Sequence, residues 1–292
     1  MDCCCYFDIL AIILGAYVLI PKILEIVEVI NHSFMFKQYD IKTRYYGKDS
    51  WALITGCTSG IGEEIAHRLG SFGFNLILVS RIADFAKNGE TLELYDDIYN
   101  KIKDLDLAIL VNNAGVNTRN YIKDTPLKDI MEMVIVNTYP YTFLTHKLLS
   151  KLKERQSKSA IITISSSITV NPAAFDAIYG CTKIFELFTM EGLRLENKDQ
   201  KNLDFLIINP AYVSTNNARL HPGSQVETTQ TFVDSLFKAL GNTQMTFGTP
   251  KHCINGFVLK LMSGLTANFN AYHFLSERII SKLANQMWEK RT

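Results

Sequence analysis

No CxxC pair and no cysteine–histidine ligand spacing occurs in the 292 residues, so a zinc site is not expected. The six cysteines, Cys3, Cys4, Cys5, Cys57, Cys181 and Cys253, are scattered in the manner of a protein from a reducing compartment. An excess of one charge is missing too. The formal net charge is +1, which leaves no electrostatic case for a nucleic-acid partner. Seven prolines and sixteen glycines are too few for a low-complexity chain, and no internal repeat is present. What remains, with 47% hydrophobic residues, is long enough for one large α/β domain or two small ones.

Residues 9–20, ILAIILGAYVLI, carry no charge. Extending back to Cys3 gives 18 residues with one charge, Asp8, at the short end of a membrane span of ~17–25 residues. A cleaved leader is disfavoured by the lack of a basic start and of a small-x-small cleavage site. Cys3–Cys5 suit acylation or simply three thiols at a membrane edge. The run from Pro21 to Phe36, with Glu25 and Glu28 interspersed, predicts a separate amphipathic juxtamembrane helix. Lys22, Lys37, Lys42, Arg44 and Lys48 all follow the apolar segment, which predicts a main domain on the cytosolic side. The sequon Asn31-His32-Ser33 would matter only for a lumenal domain. Residues 1–47 therefore read as membrane anchor and linker, and 48–292 as the folded domain.

The folded part opens with a short apolar strand, WALITG at 51–56, followed by TGCTSGIG at 55–62 and an amphipathic helix. Glycines at 56, 60 and 62 permit a sharp turn and close approach to a pyrophosphate, for which a helix N-terminus supplies N–H groups and a positive dipole end. A second strand is expected at 74–80. A third apolar run, LAILVNNAG at 107–115, ends in amides and a glycine, which suits either a ligand-side turn or an ordinary one. Asn137 falls inside the next helical stripe, as a satisfied core polar group or part of a site. A strand at 160–165 runs toward Ser166. Tyr179 and Lys183, at i and i+4, share a helix face. A last buried strand, DFLIINP, ends at Pro210, with Val213 and Thr215 beyond.

Taken singly, Tyr179 is a core aromatic, Lys183 a solvated charge and Ser166 a strand-end cap. Together, TGxxxGIG at 55–62, NNAG at 112–115, Asn137, Ser166, YxxxK at 179–183 and PxxVxT at 210–215 resemble the short-chain dehydrogenase/reductase family. With its apolar N-terminus, the chain is similar to the branch of membrane-anchored 17-beta-hydroxysteroid dehydrogenases and very-long-chain 3-oxoacyl-CoA reductases. The resemblance implies a doubly wound parallel α/β Rossmann sheet. It implies catalytic roles for Tyr179 as proton donor or acceptor, Lys183 as its electrostatic partner, Ser166 as the group orienting the substrate oxygen, and Asn137 in a proton relay. It assigns cofactor contacts to Gly56, Ser59, Gly60, Ile61, Gly62, Asp84, Asn113, Ala114, Gly115, Tyr179, Lys183, Pro210, Val213 and Thr215. Arg81, where a carboxylate would bind the ribose hydroxyls of NAD, instead suits the 2′-phosphate of NADP(H).

One stretch is too short. Only 24 residues separate Arg81 from Asp106, where a doubly wound sheet needs a helix, a strand and a second helix. Only one helix, 90–102, is expected to fit. The prediction is a sheet of family order 2-1-4-5-6-7 that lacks its third strand and the helix before it, with strand 2 as an exposed edge. Toward the C-terminus, TQTFVDSLFKALG predicts an amphipathic helix and CINGFVLKLMSGL a core helix with a final strand-like piece.

The implied activity is an NADP-dependent ketone/alcohol oxidoreductase for a lipophilic steroid or 3-oxoacyl-CoA, at the endoplasmic reticulum membrane and facing the cytosol. A second copy of the chain is a further candidate partner. The competing reading is an inactive, membrane-bound interaction protein whose cofactor site the deletion has broken.

Overall fold

The computed structural model describes residues 3–31, 35–80, 82–215 and 226–265. Its frame is a set of short apolar runs that hydrogen-bond side by side: β1 (Trp51–Thr55), β2 (Asn75–Val79), β3 (Leu107–Asn112), β4 (Ser159–Ile164), β5 (Leu203–Ile208) and β6 (Met245–Thr246). All pairings are parallel, in the order β2-β1-β3-β4-β5-β6. That is the order expected of a sheet that has lost its outer strand. Successive residues point to opposite faces, as a strand requires. Ile54, Ile109 and Ile162 join one core, and Leu53, Leu110 and Ile161 the other.

Helices cover both faces, as parallel strands with two apolar faces demand. On one side lie α2 (Ile41–Tyr45), α3 (Gly60–Ser71) and α8 (Thr229–Ala239); on the other α4 (Ile82–Asn88), α5 (Leu92–Ile102), α6 (Leu127–Lys153) and α7 (Ala177–Glu196). α9 (Pro250–Leu265) follows β6. CINGFVLKLMSGL lies wholly within α9, so the final strand-like piece expected there is not formed among the described residues.

The shortened stretch contains two helices, not one. α4 is a single short segment whose Phe85 is buried and stacks on Tyr95 of α5, with ring centroids 6.3 Å apart. The Tyr95 hydroxyl donates to Gly89 O at 2.8 Å, tying the α4–α5 corner together. β2 is left at the edge, with Leu78 54% exposed.

At the opposite end of the strands, Arg155 donates to Asp106 (Nε–Oδ1, 2.7 Å), to Ser50 Oγ (3.1 Å) and to Tyr45 O (3.1 Å). Tyr45, fully buried, donates its hydroxyl to Asp204 Oδ2 at 2.6 Å. Residues before 48 therefore contribute to the core.

The N-terminal apolar run is helical, as α1 (Cys3–Ile30), and continues through Pro21 instead of breaking there into two helices. No helix among the described residues is long and apolar enough to cross a membrane, which corrects the expected span. Between the charged positions Asp8 and Lys22 the sequence offers 13 residues, about 20 Å of helix against a hydrocarbon core of ~30 Å.

Candidate active site

Three chain segments meet at the C-terminal ends of β1, β3 and β4, and backbone geometry dictates the first. Gly56 and Gly60 adopt φ of +66° and +64°, a region L side chains rarely enter. A Cβ on Gly56 would lie 2.8 Å from Ala114 Cα, and one on Gly60 2.9 Å from Thr215 Cγ2. A Cβ on Gly62 would overlap Gly56 O and Asn113 Nδ2. Ser59 is the N-cap of α3 but makes no side-chain capping bond, so its hydroxyl does not take up the first-turn N–H groups. Ile61 packs against the core behind the turn. This cradle, too tight for any side chain and open at a helix N-terminus, fits the pyrophosphate of a dinucleotide.

The NNAG segment serves chiefly as the cradle's support. Asn113 Nδ2 donates to Thr55 O (3.1 Å) and Gly56 O (2.9 Å), while Asn113 N and Ala114 N both donate to Thr55 Oγ1, at 2.9 and 3.0 Å. Gly115 opens the way to α7: a Cβ there would sit 3.4 Å from Lys183 Nζ and 3.5 Å from Asn137 Oδ1.

Asn137 answers both readings of a mid-helix asparagine. It is fully buried and satisfied, and it stands at the site. Its Oδ1 accepts from Val116 N (2.8 Å), and its Nδ2 donates to Val116 O (3.0 Å) and Thr182 Oγ1 (2.9 Å). It thereby clamps the loop after β3 onto α7.

α7 presents Tyr179 and Lys183 on one face, as their spacing requires. Lys183 Nζ lies 5.8 Å from the Tyr179 ring centroid. Ser166, which ends the segment after β4 and accepts from Ile168 N at 3.3 Å, also lies close enough to the Tyr179 hydroxyl to help lower its pKa. Burial raises the Tyr179 pKa above the usual phenol value; Lys183 and Ser166 pull it down and Glu186 pushes it up, leaving a net rise. The protein's own groups thus leave Tyr179 protonated, the form a proton donor needs. Pro210 O accepts from Ser167 N (2.9 Å), and buried Val213 bridges to Glu227, which brings Thr215 to the glycine turn. Arg81 lies outside the described residues. Asp84 falls in α4, and its side chain lies outside the described residues.

Two features escaped the sequence reading. Asp176, buried just before α7, accepts from Arg119 Nε (2.8 Å) and Asn117 Nδ2 (2.9 Å), bracing the same loop against the start of that helix. Glu186, also buried, places both carboxylate oxygens on Lys183 Nζ, at 2.8 and 3.0 Å. Its signal was available: a glutamate three residues after Lys183 and seven after Tyr179 shares their helix face.

Comparison with known proteins bears on what this arrangement is. The family model described as short chain dehydrogenase matches residues 82–222. The very-long-chain 3-oxoacyl-CoA reductase of Bos taurus is 32% identical over 228 residues, 70% of this chain and 72% of that protein. The Homo sapiens protein of the same description is 31% identical over 237 residues, 73% and 75% of the two chains. A short chain dehydrogenase from Burkholderia cenocepacia, solved in complex with NADP, superposes with a TM-score of 0.61 at 20% identity, covering 77% of this chain and 96% of that one. At that identity the likeness speaks for the fold alone.

Proposed function

The chain belongs to the short-chain dehydrogenase family, as an oxidoreductase of the branch that includes the very-long-chain 3-oxoacyl-CoA reductases, and we propose that it reduces the keto group of a long-chain 3-oxoacyl-CoA with NADPH. The observation that carries this reading is the meeting of Tyr179, Lys183 and Ser166 beside the glycine cradle. The identity of the relatives favours the acyl-CoA over a steroid. For NADP(H), support comes from Arg81 two residues after β2. The inactive-member reading gains no support.

When bound, the nicotinamide cofactor supplies the hydride. The chain's residues do the rest. Gly56, Gly60 and Gly62 admit the pyrophosphate against the start of α3. Ser166 orients the substrate oxygen next to Tyr179. Tyr179 donates its phenolic proton to that oxygen as the alkoxide develops, a transfer worth ~10²–10⁴-fold in rate. Lys183 stabilises the phenolate left behind, where each unit of pKa depression corresponds to ~1.4 kcal/mol.

The same reading holds the enzyme at the endoplasmic reticulum membrane through α1, with the catalytic domain in the cytosol. Support comes from the exposed apolar side chains of α1, among them Ile12, Leu14, Leu19 and Leu24. Co-flotation with liposomes of endoplasmic reticulum lipid composition checks this: the full chain floats with the vesicles and a chain lacking α1 does not.

The central experiment follows NADPH binding by fluorescence and NADPH consumption with a long-chain 3-oxoacyl-CoA or a ketosteroid. Turnover of the acyl-CoA, abolished by Tyr179→Phe with binding retained, is the expected result. Absence of NADPH binding by folded protein overturns the reading.

A further inference from the structure

A buried carboxylate beside the lysine of a Tyr–Lys pair is not required by hydride transfer, and Glu186 is such a group. Tyr179, Lys183 and Glu186 recur along one face of α7, and Glu186 and Lys183 have side chains only 4% and 5% exposed. Burying an ion pair is expensive unless its geometry is good and its remaining bonds are met. Here the geometry is good. An ammonium has three N–H donors, and Lys183 Nζ has three acceptors within reach: Glu186 Oε1 (2.8 Å), Glu186 Oε2 (3.0 Å) and Ile164 O (3.0 Å). With those bonds made, no N–H is left over for a ribose hydroxyl or for Tyr179.

We infer that Glu186 is a positioning residue for the Tyr179–Lys183 pair: its carboxylate seats the ammonium of Lys183, and neutralising that carboxylate frees the ammonium to turn toward Gly115 and Tyr179. This deepens the oxidoreductase reading and rests on it. Space for the turn exists, because Gly115 has no side chain where a Cβ would approach Nζ to 3.4 Å. The surroundings are built for a group that changes charge. On the α6 side, the Tyr141 hydroxyl feels the Glu186 charge. Among the described residues, Tyr141 OH, Thr163 Oγ1 and Asn112 Oδ1 are buried and make no hydrogen bond of good geometry, although Thr163 lies near enough to the Tyr141 hydroxyl to lower its pKa. Asn112 and Thr163 are register neighbours on β3 and β4. Unpartnered buried polar atoms are uncommon, and of these Tyr141, whose hydroxyl feels the Glu186 charge, offers that carboxyl an alternative to Lys183.

The groups acting on Glu186 are few. Lys183 and Tyr179 lie on its own helix, Tyr141 comes from α6, and Ser165, from the end of β4, contributes only a hydroxyl. Burial pushes the Glu186 carboxyl up to about 7 against the opposing pull of Lys183. Burial thus moves the change of charge of Glu186 above the usual carboxylate range. The ionised carboxylate raises the pKa of Tyr179, and the neutral acid leaves the full charge of Lys183 to lower it.

The test uses the full chain in detergent, as wild type, Glu186→Gln and Lys183→Met. Infrared titration without cofactor should show the carbonyl stretch of a protonated carboxyl growing in below about pH 7. The band should vanish in Glu186→Gln and move up by at least ~1 pH unit in Lys183→Met. A band that persists in Glu186→Gln, or that Lys183→Met leaves in place, overturns the inference, whether or not the protein turns over. In the pH profile of reduction, Glu186→Gln should lose the limb near neutrality and shift the Tyr179 limb down by ~0.5–1 unit. An unchanged profile in an active Glu186→Gln overturns it equally. Wild type that shows the infrared band but no turnover counts against the oxidoreductase reading alone, and the seating of Lys183 by Glu186 stands.

Discussion

The two sides of the sheet share one parallel register and differ in what surrounds them. β3 and β4 are buried at every position and β5 at all but one, with α6 and α7 packed on one face. β2 has no position fully buried, and its outer neighbour is missing. The proposed acid–base machinery rides on the first side: Ser166 after β4, Asn137 on α6, Tyr179 and Lys183 on α7. The second side holds only what would meet the adenine and its ribose. A βα unit can be lost at the edge because no side chain of the proton-transfer pair depends on it. The expected penalty falls on cofactor affinity rather than on chemistry.

The largest effect that separates the two sides is expected from Tyr179→Phe. It should lower kcat by ~10²–10⁴-fold while NADPH titration by fluorescence gives an unchanged dissociation constant. A parallel loss of binding would mean the sides are not separable. Next comes Phe85→Ala in α4, which removes a buried ring stacked on Tyr95. A loss of ~3–5 kcal/mol in denaturant unfolding is expected, with the NADPH dissociation constant rising more than kcat falls. A third effect lies in the pH dependence of stability. The Glu186 carboxyl is pushed up to about 7 in the folded chain, against ~4.3 unfolded. Between those values the folded state binds the extra proton, so stability rises as pH falls from about 7. Melting temperatures of wild type and Glu186→Gln across that window should converge at the acid end and diverge above it. The smallest change in stability is expected from Leu78→Lys on the open edge, within ~0.5 kcal/mol. Light scattering on heating should nonetheless show a later onset of aggregation, because a charge blunts an unpaired strand.

The strands and the site were legible for one reason: buried parallel strands are unbroken apolar runs, and each ends in residues with little freedom to vary in type. Gly56, Gly60 and Gly62 announce a turn that no side chain fits. The strand order followed from the family resemblance, and the loss of its third strand from arithmetic, since 24 residues cannot hold two crossovers and a strand. α4 was not legible, because Ile82–Asn88 is too short to show a helical period and is held by the contact of Phe85 with Tyr95. Nor was the continuity of α1 through Pro21, where a proline reads as a boundary. Glu186 was overlooked because an acidic residue in a helix normally reads as solvated, and only packing reveals that this one is enclosed.

The knot of Arg155, Asp106, Ser50 and Tyr45 has a practical corollary for anyone who wishes to prepare the catalytic body without α1. A truncation made just ahead of β1 would strip Ile41 and Tyr45 from their slots and deprive Asp204 of the Tyr45 hydroxyl. Starting the shortened polypeptide a little after α1, upstream of the Asp40 cap on α2, keeps that plug in place.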